Sequence, residues 1–317
     1  MKIEEVKNIS VLGTGTMGYG ITLVFAMAKY RVNMFGRSLA SAELGLKNIQ
    51  TTLETFLKKG LVQQPEIAEI LARISITTNL EEAVNSVHFV IEAIDENLIL
   101  KQRIFSEIEN FCSCETILAS NTSGLSPTDI ANCLKHKNRF VVAHFWNPAY
   151  LMPVVEVVPG DNTVKKTVDT TCKLMEKIGK IPVTLEKEFL GFIGNRLQMA
   201  MLREALNIVE SGVASVEAVD AIVKHNLGRR LSITGPFESV DLGGVDIFYN
   251  ISEYLIEELC ASKEIPLTLK NLFKNGSLGV KTGKGFYSWT EDSIVKIIEF
   301  RENSLIERLR QDKHKID

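Results

Sequence analysis

The sequence predicts a doubly wound, mostly parallel α/β sheet followed by an all-helical domain. Short β-branched runs alternate with longer helical stretches up to about residue 187, and strand signals disappear after Leu185. Such alternation builds a parallel sheet with helices on both faces. The length of 317 residues supports two domains, because a single core usually stops growing near this size.

The first predicted domain covers residues 1–187. It begins with a strand at 8–12, a helix at 16–29, a second strand at 31–35 and a long helix at 41–59. Further strands are predicted at 86–91, 116–119, 139–143, 154–158 and 181–185, with helices between most of them.

The second predicted domain covers residues 188–317 and is all-helical. Helical periodicity runs through 189–212, 215–226 and 244–262, with turns such as 231–236 between them. A last helix at 290–310 carries an apolar stripe that its own domain or a partner subunit must cover. We therefore expect this domain to bind substrate and to form a homodimer. The stripe consists of Ile294, Ile297, Ile298, Leu305 and Leu309.

Composition excludes several classes of protein. With 36 Lys+Arg against 39 Asp+Glu and 45% hydrophobic residues, the chain is neither collagen-like, disordered nor a basic nucleic-acid arm. It has no apolar run of 18 residues and begins with an acidic segment, so we expect a cytoplasmic protein without membrane or nucleic-acid partners. Five irregularly spaced cysteines and five histidines without an i, i+4 pair predict neither disulfides nor a metal site.

A glycine-rich turn follows the first strand and opens the first helix. In such a turn, the first glycine permits the tight bend, the second lets the backbone approach a pyrophosphate, and the third allows close helix–strand packing. Backbone N–H groups and the helix dipole then hold the anion. We therefore predict a Rossmann-type domain that binds NAD or NADP. The turn reads Gly13-Thr14-Gly15-Thr16-Met17-Gly18.

The end of the second strand departs from the usual NAD pattern. An acidic residue is expected there to bind the ribose hydroxyls, but the sequence has Gly36-Arg37-Ser38. Without the carboxylate a 2′-phosphate is not repelled, and Arg37 and Ser38 could bind it. The sequence therefore favours NADP. The alternative is that Arg37 stacks on adenine and NAD still binds.

Polar residues also follow later strands. Asn121 follows one strand and His144 the next, where ligands of open α/β sheets bind. Glu156 lies among four valines, where an unpaired carboxylate is costly to bury. We predict that it pairs with His144 and prepares that imidazole as a general base. The alternatives are a core histidine and a carboxylate on the surface of an edge strand.

Several ordered segments resemble the motifs of the 3-hydroxyacyl-CoA dehydrogenase family along nearly the full chain. The segments are residues 13–21, 91–97, 121–123, 144–148, 191–196, 235–237 and 278–287. The resemblance implies an NAD(P)-dependent dehydrogenase of 3-hydroxyacyl-CoA, of the 3-hydroxybutyryl-CoA type, in fatty acid metabolism.

The resemblance also implies roles for individual residues. His144 would be the general base and Glu156 its partner, while Ser123 and Asn195 would hold the substrate oxygen. The two residues implied for the CoA moiety are Thr52 and Lys59, although Lys59 is equally well explained by the dipole of its helix. The residues implied for the dinucleotide are Glu96, Lys101, Ser123, Asn147 and Lys281.

Three positions depart from the family pattern: Trp146 replaces a usual Phe, Gly124 a usual Ser, and Lys29 a usual Gly. The segment 147–159 and the helical tail are also similar to the lambda-crystallin/L-gulonate 3-dehydrogenase and carnitine 3-dehydrogenase branches, whose substrates lack CoA. A small 3-hydroxy acid is therefore the alternative substrate. A dinucleotide-binding structural or sensor protein is the non-enzyme alternative, although it would need neither His144 nor Glu156.

Overall fold

The computed structural model describes residues 3–314 of the chain. They fall into two compact units, one running to Asn195 and resuming at Glu302, the other covering Arg196–Arg301. The sequence placed all of 188–317 in one helical domain. The structure instead assigns 188–195 and the residues from Glu302 onward to the first unit.

The first unit contains one eight-stranded sheet in the order β3-β2-β1-β4-β5-β6-β7-β8. All neighbouring strands are parallel except β6 and β7, which are antiparallel. The mostly parallel, doubly wound sheet is thereby confirmed. The strands are β1 (Asn8–Leu12), β2 (Arg31–Phe35), β3 (Ile74–Thr77), β4 (Phe89–Glu92), β5 (Ile117–Ser120), β6 (Phe140–Phe145), β7 (Val154–Pro159) and β8 (Ile181–Thr184).

Helices cover the sheet of the first unit. One buried apolar cluster includes Phe25 and Phe56, and a second includes Phe105 and Phe140. Strands β4, β5 and β6 are buried along their full length, as expected for strands covered on both faces. The helices are α1 (Thr16–Met27), α2 (Leu39–Lys58), α3 (Gln64–Leu71), α4 (Leu80–Val84), α5 (Leu98–Ile108), α6 (Pro127–Ala131) and α7 (Lys165–Lys177).

Three elements of the first unit were missing from the sequence prediction between residues 60 and 85, namely α3, the edge strand β3 and α4. Strand β3 has only four residues, all at least partly exposed, so its sequence carries no buried apolar run. Such short edge strands give weak periodicity.

The second unit is helical, as the sequence predicted. The predicted turn at 231–236 is confirmed, because residues 232–235 form a turn between two helices. The helix that begins at Pro236 was not predicted, although proline is preferred in the first helical turn. The remaining helices are α8 (Gly194–Glu210), α9 (Val216–Ile222), α10 (Gly228–Leu231), α11 (Pro236–Gly243), α12 (Val245–Leu255), α13 (Leu267–Lys274) and α14 (Glu291–His314).

The C-terminal end of helix α14 packs against the first unit. Ile306 is only 3% exposed and belongs to the buried cluster of the first unit. Leu305 and Leu309 pack against the same cluster. The sequence expected cover from the helical domain or a partner subunit, but the sheet-containing unit buries this end of the helix. Within residues 3–314, no helix is long and apolar enough to cross a membrane.

Candidate active site

The turn after β1 has the space that a pyrophosphate requires. Gly13 has φ of +121°, and a Cβ there would lie 2.4 Å from the carbonyl oxygen of Ala93. A Cβ on Gly18 would lie 2.0 Å from the carbonyl oxygen of Gly13. Gly15, the N-cap of α1, has no neighbour within 4 Å of such a Cβ and no side-chain cap on the helix. The N–H groups of α1 are therefore free to bind phosphate.

The sheet places this turn at a topological switch point. The strand order reverses between β1 and β4, because β1 is followed in sequence by its neighbour β2 on one side while β4 pairs with it on the other. In open α/β sheets, ligands bind in the crevice outside the carboxyl ends of the strands at this point. The turns after β1, β4 and β5 border that crevice.

The end of β2 has no room for the usual acidic residue. A Cβ on Gly36 would lie 2.9 Å from both the Cβ of Ala42 and the hydroxyl of Ser41. Arg37 is exposed, and its guanidinium has no partner among residues 3–314. Ser38 caps α2, since its hydroxyl accepts from the Ser41 amide at 3.2 Å. A free cation thus stands beside the N-terminus of α2.

His144 and Glu156 face each other across the antiparallel pair β6 and β7. The register pairs them directly, and Nδ1 of His144 lies 2.8 Å from Oε2 of Glu156. Both side chains are at least 95% buried. Strand β7 is not at the edge of the sheet, because β8 pairs with its other side. Glu156 is therefore not a surface residue of an edge strand.

The second carboxylate oxygen of Glu156 is held by backbone. Oε1 accepts hydrogen bonds from the amides of Ile193 at 2.9 Å and Gly194 at 3.0 Å. Burial by itself would raise the pKa of Glu156, but the hydrogen bonds from His144, Gly194 and Ile193 outweigh it and hold the pKa below its ordinary value. Glu156 is thus a carboxylate, and its negative charge lies beside Nδ1 of His144.

The segment that supplies these amides has an unusual backbone. Phe192 has φ of +53°, which is rare for a bulky residue. Its ring is buried and lies 5.6 Å from the His144 ring. Trp146 lies 5.0 Å from the same ring on the strand side. A Cβ on Gly194 would lie 2.2 Å from the Trp146 indole. The imidazole is therefore packed between two aromatic side chains.

Ser123 and Asn195 are connected through the Ser123 backbone. The side-chain amide of Asn195 donates to the carbonyl oxygen of Ser123 at 2.7 Å. The Ser123 amide donates to Glu96 at 2.9 Å, and the hydroxyl of Thr122 donates to the same carboxylate. Partial burial would raise the pKa of Glu96, but the bonds from Thr122, Lys101 and Ser123 lower it. The structure thus holds the loop after β5 from both sides.

Sequence reasoning did not select Glu92 as a candidate site residue, and it named Asn121 without a partner. Glu92 is fully buried and accepts from Lys101 Nζ at 2.6 Å, from the Ser120 hydroxyl at 2.6 Å and from the Ile94 amide at 2.7 Å. The side chain of Asn121 accepts from the Phe145 amide at 2.8 Å. A glutamate ending an apolar strand is the signal that could have identified Glu92.

The structure places the remaining predicted residues as follows. Lys101 is 1% exposed and lies between Glu92 and Glu96, 3.2 Å from the latter. Asn147 is exposed directly after β6. Lys281 lies in the second unit, in the turn closed by a bond from the Gly279 amide to Lys284. Thr52 and Lys59 lie on and at the end of α2, respectively.

A buried lysine holds the loop between β6 and β7. Lys180 donates to the carbonyl oxygens of Ala149 at 2.6 Å and Met152 at 2.8 Å. Burial lowers its pKa to about 8. Residues 3–314 contain no cluster of three or more His, Cys, Asp or Glu side chains that could hold a metal ion.

Comparison with known proteins identifies the family. The chain matches 3-hydroxyacyl-CoA dehydrogenase, NAD binding domain, over residues 8–189, and the C-terminal domain of that family over residues 191–289. The chain belongs to the 3-hydroxyacyl-CoA dehydrogenase family. It is an oxidoreductase of the 3-hydroxyacyl-CoA dehydrogenase type, acting on a secondary hydroxyl with a nicotinamide dinucleotide, which confirms the prediction from the sequence.

Individual relatives differ in how much of the chain they cover. A probable 3-hydroxybutyryl-CoA dehydrogenase of Bacillus subtilis is 38% identical over 90% of this chain and 99% of its own length. A 5-formyl-3-hydroxy-2-methylpyridine 4-carboxylate 5-dehydrogenase of Mesorhizobium japonicum is 29% identical over 95% and 96%. A crystal structure of an enzyme of that latter name, described as an NAD⁺-dependent dismutase, has a TM-score of 0.90 at 28% identity, covering 96% of this chain and 98% of its own.

Proposed function

We propose that His144 is the general base in reversible oxidation of a 3-hydroxyacyl substrate to the 3-oxoacyl product. The observation that carries the proposal is the 2.8 Å contact between His144 Nδ1 and a buried, ionised Glu156. Because Glu156 holds Nδ1, the other ring nitrogen is left to exchange a proton with the substrate hydroxyl.

Each step uses residues of this chain. Nε2 of His144 takes the hydroxyl proton, and Glu156 fixes the tautomer and stabilises the imidazolium that forms. A bound nicotinamide dinucleotide supplies the acceptor for the hydride released from the same carbon. The Ser123 hydroxyl and the Asn195 amide orient the substrate oxygen, since the bond from Asn195 to the Ser123 carbonyl brings both to one place.

The dinucleotide would be held by the turn after β1 and by the loops after β4 and β5. The backbone amides beside Gly15, Thr16 and Met17 would bind its pyrophosphate. Glu96 is half-exposed and ionised, so it can accept a hydrogen bond from a ribose hydroxyl. The buried Lys101 would not contact the dinucleotide but would position the Glu96 carboxylate. Direct contact by Asn147 and by Lys281 stays a prediction from the resemblance.

NADP is the proposed form of the cofactor. Gly36 has no space for an acidic side chain, and Arg37 is exposed without a partner among the described residues. Both properties suit a 2′-phosphate at the N-terminus of α2. We expect kcat/KM to be higher with NADPH than with NADH, and Arg37→Ala to remove most of the difference. A preference for NADH in the unmodified enzyme would contradict this proposal.

A small acid without CoA is the second candidate substrate. The observation that favours it is the TM-score of 0.90 over 96% of this chain to an enzyme whose named substrate is a pyridine carboxylic acid. A small 3-hydroxy acid would react at the same kind of group as a 3-hydroxyacyl thioester, because both carry a secondary hydroxyl that loses its proton while its carbon gives up a hydride.

A homodimer through the second unit is the proposed assembly. This unit has a cavity of about 760 Å³ lined by side chains such as Leu206, Phe273 and Trp289, and it leaves Phe237 84% exposed. Apolar surface of this extent commonly marks an interface. A monomeric mass by light scattering at micromolar concentration would contradict the proposal. The predicted cytoplasmic location stays a prediction.

The test of the proposed function is absorbance of the reduced nicotinamide with 3-oxoacyl substrates. We expect acetoacetyl thioesters to be reduced by NADPH. Two sets of assays decide: acetoacetyl thioesters and acetoacetate are tested as oxidants of NADPH or NADH, and L-gulonate and carnitine are tested as reductants of NADP⁺ or NAD⁺. No change in absorbance in any of them would reject the proposal in favour of a dinucleotide-binding protein.

A further inference from the structure

The C-terminal part of α14, residues 302–310, packs on the face of α2 that carries the residues implied for CoA. We call this part the tail segment. Ile306 of the tail segment shares a buried cluster with Leu53 and Phe56 of α2. Since Leu305 and Leu309 pack against that cluster too, the contact is an apolar core and not a loose surface contact.

The tail segment also occupies the C-terminal end of α2. Lys59 is the C-cap of that helix, and the Arg310 guanidinium donates a hydrogen bond to its carbonyl oxygen. The last carbonyls of a helix lack partners within the helix and carry partial negative charge. Arg310 satisfies one of them and complements the dipole. The Arg310 side chain of the tail segment therefore covers the C-terminal end of α2 at Lys59.

The space left between α2 and the tail segment is small and partly acidic. The cavity measures about 210 Å³, and its lining includes Tyr19, Thr52, Tyr150, Glu302 and Ile306. It falls below the roughly 300–1,000 Å³ of typical ligand pockets. The Thr52 hydroxyl donates to the Asn48 carbonyl of its own helix at 2.9 Å.

Glu302 brings a negative charge to this cavity. Burial raises the pKa of the Tyr150 hydroxyl, and Tyr19 and the Glu302 carboxylate raise it further, which places that carboxylate close to Tyr150. The handle of CoA carries several phosphate charges, which a carboxylate repels. Neither the volume nor the charge of the cavity suits such a handle.

We propose that the tail segment is a specificity element that covers the face of α2 bearing Thr52 and Lys59. The enzyme then recognises the 3-oxoacyl group alone and gains no binding energy from a CoA handle. This inference rests on the proposed function and extends it, because it assigns the substrate class as compact 3-hydroxyacyl compounds, whether or not CoA is attached.

The experiment compares acetoacetyl-CoA with acetoacetyl-N-acetylcysteamine, which has the same thioester but no nucleotide. We expect kcat/KM for the two to differ by less than about tenfold in the full chain, since a handle without contacts contributes little. An advantage of about tenfold or more for the CoA thioester, corresponding to ~1.4 kcal/mol, would overturn the inference.

A variant that displaces the tail segment tests the cause. Ile306→Asp puts a charge into the buried cluster, and we expect it to raise the ratio of kcat/KM for the CoA thioester over the short thioester at least fivefold. Arg308→Asp, on the exposed face of the same helix, is the matched control and should leave the ratio unchanged. Arg310→Ala is a milder variant, with the same direction expected, should Ile306→Asp fail to fold.

The outcomes separate the inference from the function on which it rests. Faster trypsin cleavage near the tail of Ile306→Asp with an unchanged substrate ratio would reject the tail segment as a specificity element. Reduction of both thioesters with a strong CoA preference would reject the inference but keep the dehydrogenase. Reduction of neither thioester, nor of acetoacetate, would reject the function itself.

Discussion

Glu92 and Glu156 are two buried carboxylates of the same sheet that are satisfied in the same way but paired differently. Each accepts three hydrogen bonds, Glu92 at 2.6–2.7 Å and Glu156 at 2.8–3.0 Å. Glu92, at the end of β4, pairs with Lys101, and Glu156, on β7, pairs with His144 on the neighbouring strand β6.

The difference lies in what the partner can release. Lys101 is 1% exposed and lies 2.6 Å from Glu92 and 3.2 Å from Glu96, so it fixes the loops around it. His144 carries an imidazole, which commonly serves as a general acid or base in catalysis. Under the proposed function, similar hydrogen bonding therefore supports two different partners. Glu92 forms a fixed ion pair with Lys101, whereas Glu156 holds a histidine that accepts a proton. The variants below test that distinction.

The largest effect is expected for His144→Gln. The amide can still meet Glu156 but cannot take a proton, so kcat should fall by about 10²–10⁴-fold while dinucleotide affinity is retained. Steady-state turnover and titration of NADPH fluorescence measure the two quantities. The exposed His136→Gln is the control and should leave both unchanged. Near-normal turnover of His144→Gln would remove His144 from the mechanism.

Glu156→Gln should lower kcat by about 10²-fold or more, because the imidazolium loses its counter-charge. It should also change how stability depends on pH. The folded-state pKa of Glu156 is lowered, so its stabilising contribution is present above the unfolded value and disappears as pH falls through the folded value. In thermal melts, the difference in Tm between the unmodified protein and Glu156→Gln should become smaller as the pH is lowered from about 6 to about 3. A Tm difference that grows as the pH falls would contradict an ionised Glu156 in the folded protein.

Glu92→Gln should act mainly on stability. Removing one partner of a buried ion pair leaves Lys101 with only Glu96, which we expect to cost about 3 kcal/mol of unfolding free energy. Glu92 is fully buried beneath the loops after β4 and β5, and the proposed reaction uses no proton of Glu92. Turnover of the folded variant should therefore fall less than about tenfold. Urea unfolding and kcat are measured together. A loss of turnover equal to that of Glu156→Gln would erase the distinction between the two carboxylates.

The smallest effect on stability is expected for Lys180→Met. This variant extends the comparison to a buried lysine that is held by backbone carbonyl oxygens instead of a carboxylate. Burial lowers the pKa of Lys180 to about 8, below its value in the unfolded chain. Between about pH 8 and about pH 10 the unfolded chain therefore binds more protons, and stability of the unmodified protein should rise with pH relative to the variant. Thermal melts across this window measure the difference. Parallel pH profiles of Tm would show that Lys180 titrates normally.

Sequence patterns predicted the central sheet because its strands are apolar runs that need both faces covered. The four-residue strand β3 and the helix α11 were missed. An exposed edge strand has little periodicity, and the eight-residue α11 has no buried residue to mark an apolar face. The glycines of the first turn could be predicted because only the absence of a Cβ permits their contacts with Ala93 and with each other.

The site was predicted less completely than the fold. His144 and Glu156 could be identified because a charged residue among valines demands a partner. The bonds that hold Glu156 come from the amides of Ile193 and Gly194, and backbone donors leave no trace in residue type. The covering of α2 by Ile306 was equally hidden, because an apolar stripe does not state which surface it meets.

The close approach of Trp146 and Gly194 couples these two positions. A Cβ at position 194 would overlap the indole at 2.2 Å, while the amide of the same residue holds Glu156. We therefore expect Gly194→Ala to be tolerated only with a smaller residue at 146. The size of the aromatic residue beside His144 thus limits which side chains the neighbouring backbone can carry.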